Sequence, residues 1–147
     1  MKIENTIKVF KEIHPTSIIM IKMGTFYHAY GRDSYILSYL FNYQVKKIQT
    51  NYSTCGFPAS GLSKVLSKLE ELEISYIILN KSENYEIVEE EDFKGKNKYN
   101  ELYNKSYNYV NRKNRIDSIY QFLLESISEE QIKDKILRIE EIIYEAR

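Results

Sequence analysis

The sequence predicts an α/β fold. A mixed sheet flanked by helices covers residues 1–92, and a linker at 93–98 leads into an α-helical extension over 99–147. Three observations predict this. Short apolar runs alternate with helical periodicities through about residue 92. Residues 93–98 (FKGKNK) carry no apolar periodicity. From Tyr99 onward the apolar residues recur at helical spacing. A chain of 147 residues, 43% hydrophobic and 29% charged, is long enough for one cored domain with an appendage.

Each element has its own signal. Ile3, Ile7, Phe10 and Ile13 lie at helical spacing, and Pro15 ends that helix. Ser17 to Met23 (SIIMIKM) is a continuous apolar run that suits a buried strand, and Gly24-Thr25 suits a turn. Phe26 to Tyr30 (FYHAY) suits a second strand. Gly31 to Ser34 offers a loop and helix start, and Tyr35, Leu37, Leu40 and Phe41 follow as a helix. Gln44 to Gln49 (QVKKIQ) suits a short strand, and Asn51 to Thr54 is polar and loop-like. Gly61-Leu62-Ser63 opens a helix with Leu62, Val65, Leu66, Leu69 and Leu72 on one face. Ser75 to Asn80 reads as a strand that pairs with Tyr85 to Glu89 through the turn at 81–84.

The extension shows a face at Tyr99, Leu102, Tyr103 and Val110, then one at Ile116, Ile119, Tyr120, Leu123 and Leu124. Ser128-Glu129-Glu130-Gln131 reads as a capping box ahead of a helix bearing Ile132, Ile136, Ile139 and Ile143. Two or three tail helices must bury these faces against each other, the α/β domain or a second chain.

Composition excludes several classes. No apolar run reaches the ~18 residues of a membrane span. The opening Met1-Lys2-Ile3-Glu4-Asn5 does not read as a signal peptide, so the cytoplasm is the expected compartment. One cysteine forms no intrachain disulfide, and with two histidines it falls short of a four-ligand zinc site. No cofactor is expected. Net charge is zero, yet unevenly laid out: +5 over 1–64, −7 over 65–92, +6 over 93–116 and −4 over 117–147. A polyanion meets the first or third block favourably. The fourteen tyrosines can stack on bases or fill a core.

The octapeptide Met23-Gly24-Thr25-Phe26-Tyr27-His28-Ala29-Tyr30 resembles the start of the MutS family of DNA mismatch-recognition proteins, which reads M-G-D-F-Y-E-L-F there. Arg32-Asp33 and the next helix, Cys55-Gly56-Phe57-Pro58 against C-G-V-P, the helix Leu62 to Leu72 and the strand Tyr76 to Leu79 extend the likeness across about residues 12–88. The resemblance implies a MutS domain I-like fold. It also implies a non-enzymatic DNA-binding module in which Phe26 wedges into mismatched or distorted duplex. A mismatch is weakly stacked, so prying it open costs less, and base stacking on the ring returns part of that cost. Met23, Phe26, His28, Lys46 and Lys47 are the implied DNA-binding residues. His28 stands where the family has Glu, Thr25 where it has Asp, and Ala59-Ser60-Gly61 where it has Y-H-A.

The family's ATPase, clamp and lever do not fit in 147 residues, so binding by one copy alone is expected to be weak and salt-sensitive. The alternative is a protein–protein interaction module on a retained MutS-like scaffold that no longer reads DNA. In either case the C-terminal helices are expected to serve a homo-oligomer or a protein partner. The stretch Gly56 to Ser63 imitates a phosphate loop but has Leu62 where the lysine belongs. A nuclease needs Asp33 near Asp92 and Lys94, and a Cys55–His28 nucleophile pair needs a third group. Lys105, Arg112, Lys113 and Arg115 either extend a phosphate track or balance the acidic block.

Overall fold

The structure is a computed structural model, and it describes residues 3–48 and 52–145. Residues Met1–Val110 form one compact unit and Asn111–Arg147 a second. The first contains helices α1 (Ile3–Ile13), α2 (Arg32–Phe41) and α3 (Leu62–Glu71), and strands β1 (Ile18–Met23), β2 (Phe26–Tyr30), β3 (Lys46–Ile48), β4 (Tyr52–Pro58), β5 (Tyr76–Asn80) and β6 (Glu86–Glu91). Helix α4 (Tyr99–Glu125) begins there, and α5 (Ile132–Glu145) lies wholly in the second unit.

The six strands form one mixed sheet in the order β3-β4-β2-β1-β5-β6. Among the described residues only the β1–β5 pair is parallel. The central strand β1 reads as an unbroken apolar run over Ile18 to Ile21 because both faces are covered there. Ile18 and Met20 join a core with Ile36 and Leu37 of α2, Val65 and Leu69 of α3, and Tyr99. Ile19 and Ile21 point the other way, onto Ile7 of α1 and Ile77 and Leu79 of β5. Burying each of these side chains contributes about 2 kcal/mol. Ile13, expected on the apolar face of α1, is 66% exposed, and Thr6 is buried instead.

The expected loop at 51–54 is corrected: Tyr52–Thr54 begin strand β4, while Asn51 lies outside the described residues. Its polar residues are satisfied locally. Buried Ser53 accepts a hydrogen bond from Ser34 Oγ at 3.1 Å, and Thr54 Oγ1 donates to the Ala29 carbonyl. The expected capping box does not start α5, which begins at Ile132, past Gln131. The Ile132 N–H instead donates to the Glu129 carbonyl in a turn.

The sheet edges differ in charge. β3 presents exposed Lys46 and Lys47 at one edge. β6 presents Glu86, Glu89, Glu90 and Glu91 at the other, all exposed. An edge strand so charged resists pairing with another chain.

One buried carboxylate ties four elements together. Asp33, on α2, is 1% exposed. It accepts hydrogen bonds from Lys11 Nζ of α1 at 2.9 Å, from the Ile19 N–H of β1 at 3.0 Å and from the Tyr99 hydroxyl of α4. Burial raises the Asp33 carboxyl above its usual range, and these donors pull against that shift. Tyr99 is itself fully buried, so the first unit extends past the 93–98 segment to include the start of α4. Tyr35 stacks near Tyr107, Tyr39 meets Tyr109 edge-on, and the Arg32 guanidinium lies 4.1 Å from the Tyr103 ring centroid. Much of the tyrosine content therefore joins α2 to α4.

Candidate nucleic-acid interface

The site starts from a two-residue turn. Met23 pairs with Phe26, so Gly24-Thr25 alone join β1 to β2. Gly24 has φ of 64°, a left-handed value that glycine takes without steric cost, and it sits first in the turn, where the tight hairpin needs it. The Thr25 carbonyl accepts a hydrogen bond of 2.8 Å from the Ala59 N–H. That bond pins the turn to the end of β4.

Alternation along β2 sorts the aromatic residues. Tyr27 and Ala29 face the core, where the Tyr27 ring stacks on Phe57 at 5.6 Å and Phe57 on Tyr43 at 5.2 Å. Phe26 and His28 take the opposite face. Phe26 is 46% exposed at the turn, and its ring centroid lies 6.4 Å from that of His28. Phe26 is thus a surface ring and Tyr27 a core ring.

His28 pairs with Gly56 across β2–β4. A Cβ at Gly56 would come within 3.0 Å of His28 Cε1 and 3.1 Å of Nδ1, so this glycine supplies the space for the imidazole. Partial burial lowers the His28 pKa from its ordinary value. That shift favours the neutral ring at pH 7, which has one N–H donor and one acceptor nitrogen.

The sequence-predicted residues separate in space. Met23, Phe26 and His28 lie together on one face, since Met23 pairs with Phe26 and Ile21 with His28. Lys46 pairs with Thr54, which shares the face of Gly56, so it stands on the same side about 12 Å from His28 by strand geometry. Lys47 pairs with Ser53 and points to the opposite face. Two cations that sequence reasoning passed over lie closer to the turn. Lys22 and Lys81 line an open cleft with Met23, Gly24, Asn80 and Ser82. The cleft sits at the carboxyl ends of the parallel strands β1 and β5, so only the sheet topology unites these lysines.

The competing constellations come apart. Cys55 faces the core, on the other side of the sheet from His28, and burial pushes its thiol up to about 12. Asp33 is engaged by Lys11, Ile19 and Tyr99, whereas Asp92 accepts from the Lys94 N–H and Ser75 Oγ. Among the described residues no cluster of three His, Cys, Asp or Glu side chains is placed to hold a metal ion. No helix among them is long and apolar enough to cross a membrane.

The family model described as MutS domain I matches residues 3–112, about three quarters of the chain. The match covers the whole sheet and the turn that carries Phe26, and it runs into α4 past Tyr99. No curated protein matches the chain.

Proposed function

The chain belongs to the MutS domain I family, and on that premise we propose that it is a non-enzymatic module that binds mismatched or distorted duplex DNA through Phe26. The observation that carries this reading is the half-exposed Phe26 ring, held beside His28 on a turn pinned by the Ala59–Thr25 hydrogen bond. A wedge must not fold back when it meets resistance, and this turn has little freedom to do so. Stacking a base on such a ring contributes on the order of 1–3 kcal/mol. That offsets part of the unstacking cost, which is lowest at a mismatch.

Neutral His28 then offers the displaced base a donor or an acceptor. Unlike a carboxylate, it adds no repulsion toward phosphates. Met23 pairs with Phe26 on the neighbouring strand and shares its face of the sheet. Lys22 and Lys81 beside the turn supply backbone contacts, with Lys46 and Lys47 adding positive charge at the β3 edge. With so few cations, one copy binds weakly, and its affinity falls with salt by about one power of ten per tenfold rise in salt for each phosphate contact.

Fluorescence anisotropy on matched and singly mismatched duplexes tests this, with wild type and Phe26→Ala side by side. The expected result is a preference for the mismatch that Phe26→Ala abolishes. Binding indifferent to both the mismatch and Phe26, or no binding at low salt, overturns the wedge.

A further inference from the structure

The second unit, Asn111–Arg147, has almost no interior. Between Asn111 and Glu145 only Ser126 and Ile132 are buried. α5 does touch α4, with Lys135 Nζ 5.0 Å from the Phe122 ring centroid. Yet the two helices leave most of their apolar side chains in solvent. Ile116, Ile119, Tyr120, Leu137, Ile142 and Ile143 are each at least half exposed. The spacing is not random: Ile132, Ile136, Ile139 and Ile143 repeat at four, three and four residues, as a bundle seam does.

Eleven large apolar side chains of this unit are exposed. At roughly 100 Å² apiece they present on the order of 1,000 Å². A typical monomer's largest patch is ~300–600 Å², and a standard interface takes ~800 Å² from each partner. Two helices cannot enclose a core, whereas four can.

We propose that this surface is covered by a second copy of the chain, the two pairs of helices closing into a four-helix bundle. Charge favours self-association. The unit carries seven basic and eight acidic side chains, so two copies do not repel through net charge. It also contains its own complement. Arg112 and Arg115 lie at the start of the unit and Glu140 and Glu141 near the end of α5, and among the described residues none of these four forms an ion pair within its own chain. A partner copy brings the opposite sign to each. This proposal rests on α4 and α5 and stands or falls independently of DNA binding.

Light scattering coupled to size-exclusion chromatography of the full chain tests it, from ~1 to ~100 µM. Wild type is expected at twice the chain mass of 17.5 kDa. The pair Ile119→Glu and Ile143→Glu, both at half-exposed positions, is expected to raise the dimer dissociation constant ~100-fold or more. Circular dichroism checks that helix content is retained. Arg112→Glu with Arg115→Glu weakens the dimer, and adding Glu140→Arg with Glu141→Arg restores it. A monomeric wild type, open-ended growth in mass or a dimer indifferent to Ile119→Glu and Ile143→Glu overturns the proposal. A monomer whose exposed helices capture a different protein also overturns it and assigns the surface to that partner.

Discussion

Replacing Tyr99 by Phe removes one hydroxyl and no other heavy atom. The ring stays in its fully buried seat, so no large cavity opens. Asp33 loses one of three donors and keeps Lys11 Nζ at 2.9 Å and the Ile19 N–H at 3.0 Å. Lys11 also loses a longer contact of 3.4 Å to that hydroxyl. A hydrogen bond to a charged group contributes about 1.5–3 kcal/mol, and burial of the carboxylate places this one toward the upper part of the range. At ~4–8 °C per kcal/mol for a unit of this size, Tyr99→Phe is expected to lower Tm by roughly 10–20 °C. Lys11→Met is expected to cost more, about 3–5 kcal/mol, because it strands a buried charge. The half-exposed Tyr107 supplies a control, and Tyr107→Phe is expected to change stability by less than ~0.5 kcal/mol. Thermal and urea unfolding followed by circular dichroism measure all three. Equal effects of Tyr99→Phe and Tyr107→Phe would refute the argument that the Tyr99 hydroxyl holds the buried Asp33.

Three further outcomes follow from the site. Gly56→Ala places a methyl 3.0 Å from the His28 ring, so it should displace the imidazole and weaken mismatch preference while the fold survives; unchanged discrimination in the anisotropy assay would separate His28 from recognition. Since His28 has a lowered pKa when folded, the stability from its neutral form is complete above the unfolded value of ~6.5. That stability is lost as pH falls from there through the lowered value, so Tm of wild type should drop more than that of His28→Gln over this window. Lys22→Ala with Lys81→Ala should reduce the slope of log affinity against log salt by about 2 without altering the ratio of mismatched to matched binding.

Much of the architecture was legible because its signals are local. The run Ile18 to Ile21 spelled a strand covered on both faces, and the leucines of α3 spelled an amphipathic helix. The octapeptide singled out Phe26, the residue we propose as the wedge, but the exposure of Phe26 beside a buried Tyr27 was not legible. Only strand alternation against a known core face decides which of two adjacent rings is exposed. The Asp33 cluster was illegible because its partners come from positions 11, 19 and 99, and no periodicity links them. The start of β4 was misread because Tyr52-Ser53-Thr54 looks polar, and its pairing comes from β2 and β3. Lys22 and Lys81 were missed for a similar reason, since the parallel β1–β5 pairing alone brings them together.

In the proposed binding to duplex DNA, the unlike edges of the sheet act before any contact is made. Lys46 and Lys47 stand five strand spacings, about 24 Å, from the glutamates of β6. That separation gives the sheet a lateral dipole. A polyanionic rod exerts no net pull on a chain of zero net charge at long range, but within a Debye length of ~8–10 Å it exerts a torque. The torque turns the lysine edge inward and the glutamate edge outward, so collisions that begin glutamate-first are rotated or rejected. The number of useful encounters is then set by how the chain is turned when it arrives as well as by how often it arrives.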